Sequence, residues 1–174
     1  ADVCRQRDDV YFFMVNSLYP ADVSKELMDE LATSIQSLGI ADKVRMFTDF
    51  LPEAASLALL EVADVVAFPY QDTAESASGA VRFGLAARRP VAVTPLAIFS
   101  DLNGNGLRFS SCRSADIAAD LLRWLSDERV ETVVDGQNEW ISARSWPNLM
   151  SRLVDISRGL LNAAAARRPL TASH

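Results

Sequence analysis

The chain has 174 residues, 49% of them hydrophobic, and its net charge is -6 with a pI near 4.8. This length suits one domain with a single core, and the composition favours a packed fold over disorder. The acidic balance argues against a general nucleic-acid surface, because phosphate binding needs clustered basic residues.

The number and positions of the cysteines and the histidine exclude several kinds of functional site. Cys4 and Cys112 are far apart and belong to no metal-binding spacing, and the only histidine is His174. A zinc site, a disulfide framework and a catalytic triad within this chain are therefore not expected. The apolar runs are too short to span a membrane. We expect a cytoplasmic protein, and peripheral association with the inner face of the membrane stays open.

Apolar runs of strand length alternate with amphipathic stretches along the chain. The predicted strands are 10–15, 44–47, 63–68, 91–94 and 107–109, and the predicted helices are 21–38, 52–62, 78–87, 114–125, 131–143 and 147–161, with a short helical turn at 95–102. Gly39 is a natural stop for the first helix and Ser114 a cap for the fourth. Trp124, Trp140 and Trp146 are predicted packing anchors.

This alternation predicts a Rossmann-like α/β fold, a three-layer sandwich around a parallel sheet. We expect one domain over residues 1–162 and a flexible tail over 163–174, where the core pattern ends. The chain begins close to a strand and ends in more helices than its strands require, which predicts the second half of a larger protein.

The loop between the strand at 63–68 and the helix at 78–87 is the candidate functional segment. It carries the acid Glu75 among small and polar residues, and the candidate site residues here are Tyr70, Gln71, Glu75, Ser76, Ser78 and Gly79. The order of the elements places this loop at the carboxyl edge of the sheet and at a helix N-terminus. Free amides and the helix dipole attract phosphate there, so we predict a ligand site.

Each of these residues also has an ordinary structural explanation. Glu75 favours the helix dipole as a surface acid, and Ser76 and Ser78 are common N-caps. Gly79 permits close approach of a ligand or close packing of the helix on the sheet. Arg82, one turn into the helix, supplies charge for a diphosphate or forms a surface ion pair.

Two roles also remain open for Tyr70 and Gln71, at the end of the strand at 63–68. Tyr70 and Gln71 contact a base or a sugar, or they close the loop.

Several segments occur in an order and spacing that resemble a known family. They are 63–69 (ADVVAFP), Glu75, 89–94 (RPVAVT), 105–109 (NGLRF), 116–118 (DIA) and 145–146 (SW). Together they resemble the C-terminal, nucleotide-sugar-binding half of a GT-B glycosyltransferase, of the retaining family 4 or "glycosyl transferases group 1" type related to glycogen and sucrose synthases. The resemblance covers about 10–161.

The resemblance implies a function for the loop. Glu75 takes the place of the first of two glutamates and would contact hydroxyls of the transferred sugar, while loop amides hold the diphosphate. Residues 48–50 would lie near the nucleobase. The implied donor is a UDP- or GDP-sugar, without metal or other cofactor, and the implied acceptor is a glycan or a lipid-linked sugar, as in polysaccharide biosynthesis.

Two departures from the family pattern qualify this expectation. Phe83 stands where the second glutamate is expected, and phenylalanine cannot accept a hydrogen bond from a ribose. The domain's first strand and the acceptor-binding N-terminal domain have no counterpart in these residues, so the isolated chain is expected to be inactive. The alternative is a degenerate GT-B domain that serves as a binding or assembly module.

Overall fold

The computed structural model describes residues 1–73 and 75–166. Its strands are β1 (Phe12–Val15), β2 (Val44–Phe47), β3 (Val66–Phe68), β4 (Val91–Val93) and β5 (Leu107–Arg108). Its helices are α1 (Asp2–Gln6), α2 (Asp22–Ser37), α3 (Glu53–Glu61), α4 (Gly79–Ala86), α5 (Ser114–Trp124), α6 (Val133–Ala143) and α7 (Trp146–Ala166), with 3₁₀ turns at Ala97–Leu102 and Glu128–Thr132.

The predicted parallel α/β fold is confirmed, since β1 pairs with β2 and β4 pairs with both β3 and β5, all in parallel. The described residues, however, form two hydrogen-bonded sheets, β1–β2 and β3–β4–β5, with no ladder between β1 and β3. The sequence predicts each strand but carries no signal for which edges meet.

The core lies on both faces of the three-stranded sheet. On one face Val66, Val91 and Val93 pack against α4, the first 3₁₀ turn and α6. On the other face Ala92 packs with Phe109 and Trp124, and α5 supplies further apolar side chains. The central strand β4 is buried on both faces, which explains its uninterrupted apolar sequence.

The ends of α2 and α5 show one confirmed and one wrong prediction. Gly39 has a φ of 67°, and the amides of Gly39 and Ile40 donate to the carbonyls of Gln36 and Ile35, which closes α2. Ser114 does not cap α5. It is already the first helical residue, and Arg113 occupies the cap position without a side-chain bond.

Two tryptophans are packing anchors and one is not. Trp124 and Trp140 are buried, as predicted, but Trp146 at the start of α7 is 77% exposed. Helix α7 packs mainly on α6 and continues to Ala166, into the predicted tail. Residues 167–174 of that tail lie outside the described residues. No helix among the described residues is long and apolar enough to cross a membrane.

Candidate functional site

The loop between β3 and α4 is held at both of its ends. Ser78 is the predicted cap of α4, and its Oγ accepts from the Val81 amide at 3.3 Å. The Tyr70 hydroxyl lies 3.2 Å from the same Oγ. The Tyr70 carbonyl accepts from the Thr94 hydroxyl at 2.9 Å, at the end of β4. Tyr70 and Ser78 therefore fix the loop to the carboxyl edge of the sheet and to the helix that follows.

Glu75 and Ser76 lie on the surface of this loop. Both are exposed, and the Glu75 amide donates to the Thr73 Oγ at 3.2 Å. Within residues 1–73 and 75–166, the Glu75 carboxylate has no ion pair and no hydrogen bond. The acid is therefore available to an approaching ligand, at the sheet edge where the sequence predicts it.

The N-terminus of α4 offers backbone donors beside this acid. Among the residues that the structure describes, the Gly79 and Ala80 amides have no hydrogen-bond acceptor, while the Val81 amide is occupied by Ser78. Gly79 is exposed, and a Cβ added there would meet nothing within 4 Å. Close packing on the sheet is thus not the reason for this glycine. The open amides and the helix dipole suit an anion.

The glycine that packs against the sheet is Gly84, which sequence reasoning missed. A Cβ added at Gly84 would lie 2.7 Å from two ring atoms of Phe68. Its position one turn after the predicted site, on the face of α4 toward β3, is the signal that could have identified it.

Arg82 and Gln71 form contacts within the protein. A guanidinium nitrogen of Arg82 lies 2.7 Å from a carboxylate oxygen of Asp101, and its Cζ is 5.4 Å from the centre of the Trp140 ring. The surface ion pair is therefore present, and a contact of Arg82 with a diphosphate stays a prediction. Gln71 donates to the Cys112 carbonyl at 3.3 Å and so joins the candidate loop to the loop after β5.

Arg113, in that second loop, is an exposed cation that sequence reasoning did not single out. Its side chain is 81% exposed, and its nearest acid is Asp116 at 3.9 Å. The loop follows β5, so it lies at the same carboxyl edge as the loop after β3. The signal that could have identified it is its position in the loop after a strand of the parallel sheet.

A small cavity lies at the carboxyl ends of β1 and β2. Its volume is about 120 Å³, and its lining includes Val15, Ser17, Asp49 and Phe50. The Phe50 side chain is 90% exposed. An exposed aromatic ring there suits stacking with a base, and the role that the resemblance implies for residues 48–50 stays a prediction.

The charged pairs with displaced pKa values lie away from this edge. A hydrogen bond from Arg7 lowers the pKa of Asp9 to about 2, and a hydrogen bond from Arg129 lowers the pKa of Asp127. In the described part of the chain, no group of three or more His, Cys, Asp or Glu residues could hold a metal ion.

The comparisons with known proteins concern the fold. No protein-family model matches the sequence, and no curated protein is significantly similar to it. HepE from Anabaena, solved in complex with UDP, has a TM-score of 0.73 at 17% identity, over 92% of this chain and 43% of that chain. Trehalose 6-phosphate synthase from Burkholderia multivorans has a TM-score of 0.74 at 10% identity, over 99% of this chain and 40% of that chain.

A domain-sized structure agrees with these. The C-terminal domain of a glycosyl transferase group 1 family protein, LpcC from Francisella tularensis, has a TM-score of 0.66 at 13% identity, over 81% of this chain and 72% of that chain. The chain therefore has the α/β fold of the C-terminal halves of GT-B glycosyltransferases, as predicted. It spans 43% of HepE and 40% of the trehalose 6-phosphate synthase.

The two glycines of α4 give a prediction about packing. We expect Gly84→Ala to lower the free energy of unfolding by about 1 kcal/mol, because overpacking against Phe68 exceeds the gain in helix propensity. Gly79→Ala, in open space, should stay within about 0.5 kcal/mol of the parent. Urea unfolding followed by circular dichroism measures both. A Gly84→Ala variant as stable as the parent would show that the Phe68 ring moves aside without loss of unfolding free energy.

Proposed function

We propose that this chain is the donor-binding half of a glycosyltransferase that transfers a sugar from a nucleotide-sugar to a glycan or lipid-linked acceptor. The donor is a UDP- or GDP-sugar, and no metal or other cofactor takes part. The acceptor binds to an N-terminal domain outside these residues, so the chain alone has no transferase activity. We place the protein in the cytoplasm, with peripheral association at the inner face of the membrane.

One observation carries the proposal. Among the described residues the exposed carboxylate of Glu75 has no partner, and its loop leads into the N-terminus of α4, where the Gly79 and Ala80 amides have no acceptor. Both groups lie at the carboxyl edge of a parallel sheet. Open α/β sheets bind their ligands at this edge. A carboxylate accepts hydrogen bonds from sugar hydroxyls, and the amides donate to phosphate oxygens. The two halves of a nucleotide-sugar thus have matching partners in the loop and in the helix N-terminus that follows it.

The similar structures support the same assignment. HepE was solved with UDP, with UDP and glucose, and with UDP-glucose. Because the likeness is at 17% identity or below for these neighbours, it concerns the fold, and donor binding by this chain rests on its own loop.

The chemistry assigned to each group follows from charge. When the bond between the sugar and the phosphate breaks, negative charge develops on the leaving diphosphate. Fixed amides at the N-terminus of α4, aimed where that charge develops, stabilise it without reorganisation. Glu75 positions the sugar through its hydroxyls. Ser76, Ser78 and Arg82 are assigned to the diphosphate side, and Tyr70 and Gln71 to the sugar or the base.

Phe83 favours a second candidate function. Its side chain is half-buried and lines a large apolar cavity beside β1 and β3, and it offers no acceptor for ribose hydroxyls. A domain that has lost nucleotide binding but kept the fold would serve as a binding or assembly module. Such a module would show no response to any nucleotide.

The proposal is tested by titrating uridine, UDP, UDP-glucose, GDP-mannose and ADP-glucose into the 174-residue chain, with the amide resonances followed by NMR. We expect a diphosphate-containing ligand, but not uridine alone, to shift the Gly79 and Ala80 resonances. Glu75→Gln should weaken binding of the sugar nucleotide by about 3- to 10-fold, the value of one hydrogen bond, and leave UDP or GDP binding unchanged.

A second test variant and one control complete the experiment. Gly79→Ala fills the open space beside the amides and should weaken diphosphate binding without loss of stability. Glu26→Gln removes an exposed acid on α2, remote from the loop in sequence, and should bind as the parent does. If no nucleotide moves the two amides at millimolar concentration, the donor-binding proposal is wrong and the assembly module remains.

A further inference from the structure

Helix α7 leaves its side chains uncovered along most of its length. The Asn148 side chain donates to the Ser142 carbonyl at 2.7 Å, which ties the first turn of α7 to the end of α6. Every residue from 146 to 164 is nevertheless exposed. A Cβ added at Gly159, further along the helix, would meet nothing within 4 Å. Beyond its first turn, α7 is therefore open to its surroundings.

The large apolar side chains of α7 share one face. At about 3.6 residues per turn they occupy about 160° of the helix circumference. They are Trp146, Leu149, Met150, Leu153, Val154, Ile156, Leu160 and Leu161. Their exposed fractions lie between 39% and 77%. Ser157 lies on the same face, but its hydroxyl donates to the Leu153 carbonyl at 2.8 Å and is satisfied within the helix. The apolar face is thus continuous, and no described residue covers it.

The charged residues of α7 follow the same geometry. Arg152 and Arg158 each lie about 40° beyond an edge of the apolar face, one on either side, and Asp155 lies at the centre of the polar face. Arg158 and Asp155 are 74% and 72% exposed. Between residues 144 and 168 the sequence has five arginines and one acid, which gives a charge of +4 in a chain whose net charge is -6. Positive charge is therefore concentrated in the segment that carries the apolar face.

This arrangement matches the boundary between the headgroups and the acyl chains of a lipid layer. An interfacial helix lies in the plane of the membrane, with its apolar face among the acyl chains and its cations among the headgroups. Arginines at the edges of the apolar face reach headgroup phosphates while their aliphatic stems stay in the apolar layer. The ring of Trp146, apolar with one N–H donor, suits the same boundary.

A second copy of the chain fits this face less well. The seam of a two-stranded coiled coil uses a narrower apolar stripe than the face of α7. In either orientation, two copies would bring an arginine-bearing edge of one helix against an arginine-bearing edge of the other. Like charges repel there, whereas anionic headgroups attract both edges.

We propose that α7 is an interfacial helix that binds the surface of a membrane containing anionic lipids, with Arg152 and Arg158 on the headgroup phosphates. This surface accounts for the peripheral membrane association proposed above, and the inference rests on that part of the proposed function. It shares no residue with the donor site, so binding of the nucleotide-sugar is tested separately.

The test measures flotation of the 174-residue chain with vesicles of phosphatidylcholine, with and without anionic phosphatidylglycerol. We expect at least about tenfold tighter binding to the anionic vesicles, and weaker binding at high salt. Trp146 supplies a second readout, because it is exposed while Trp124 and Trp140 are buried. Its emission should move to shorter wavelength when α7 enters the lipid.

Two double variants test the two parts of this surface. Arg152→Gln with Arg158→Gln should weaken binding to the anionic vesicles by about 10- to 30-fold, since each arginine near the surface adds attraction. Leu153→Gln with Leu160→Gln should weaken binding by at least about 30-fold, because two apolar side chains no longer leave water. All four side chains are exposed, so the fold should be retained, and circular dichroism checks this.

Two matched controls accompany them. Ser151→Gln with Asn162→Gln places two glutamines on the polar face of the same helix and should bind as the parent does. Arg5→Gln removes one exposed positive charge from α1 and should also bind as the parent does.

Three results would overturn the inference. Binding that persists in both double variants would place the membrane contact elsewhere, and equal binding to the two kinds of vesicle would remove the role of the arginines. Absence of vesicle binding would reject the peripheral association as well, while the nucleotide titration by NMR would still decide donor binding. If dimers are then seen in light scattering and disappear in the Leu153→Gln, Leu160→Gln variant, a second copy covers the face.

Discussion

Replacing Gln137 by leucine is expected to lower the free energy of unfolding by about 2–6 kcal/mol. The Gln137 side chain is fully buried in α6. Its Oε1 accepts from the Val91 amide at 2.9 Å, and its Nε2 donates to the Arg89 carbonyl at 3.0 Å. One side chain thus satisfies a donor and an acceptor at the start of β4. Leucine has a similar volume but leaves both backbone groups buried and unpaired, at about 1–3 kcal/mol each.

Urea unfolding measures this loss, and hydrogen exchange at Val91 localises it. Glu139→Gln, two residues along the same helix and exposed, is the matched control and should stay within about 0.5 kcal/mol of the parent. A loss below about 1 kcal/mol for Gln137→Leu would mean that water or a shifted backbone replaces the two hydrogen bonds.

Replacing Asp120 by alanine is expected to cost about 2–3 kcal/mol, the value of a buried carboxylate that accepts several hydrogen bonds. Asp120 lies in α5 with only 7% of its side chain exposed. It accepts from the Ser110 amide at 2.6 Å, from the Ser110 hydroxyl at 3.2 Å and from Arg123 at 2.5 Å. These bonds fix the loop after β5 onto the helix that follows it.

The matched control is Asp155→Ala in α7. That carboxylate is 72% exposed, and its ion pair with Arg158 is 3.9 Å long. Exposed pairs of this kind contribute about 0–1 kcal/mol. Denaturant titrations of both variants should therefore differ by about 2 kcal/mol in unfolding free energy. Equal losses at the two positions would show that Asp120 is satisfied by solvent when the loop relaxes.

Local signals explain which predictions are confirmed. The strand Val44–Phe47 matches its predicted bounds, and α4 begins directly after the predicted cap, Ser78. A run of β-forming residues and an N-cap depend on neighbours within a few positions. The sequence therefore predicts them well, and it also places Glu75 and Gly79 at the sheet edge.

The wrong cap at Ser114 is a local error of one position. The wrong prediction for Trp146, and the features that were missed, depend on contacts distant in the sequence. Gln137 meets Val91 from 46 residues away, and nothing in its helix distinguishes it from an exposed glutamine. Trp146 continues an apolar helix pattern, but its neighbours do not cover that face, so it is exposed. Among the described residues β1 and β3 do not pair, and this depends on how the sheets assemble. The sequence of each strand taken alone predicts an ordinary buried strand.

The hydrogen bond between the Tyr70 hydroxyl and the Ser78 Oγ allows spectroscopy to detect a ligand bound at this loop. The Tyr70 ring is half-buried, 5.2 Å from the centre of the Phe99 ring, whereas the other two tyrosines, Tyr11 and Tyr19, are 60% and 75% exposed. A ligand that draws the Ser78 hydroxyl toward itself must change the partner of the Tyr70 hydroxyl. Fluorinated tyrosine would then report occupancy of the loop through one of three resonances, with the other two as built-in references.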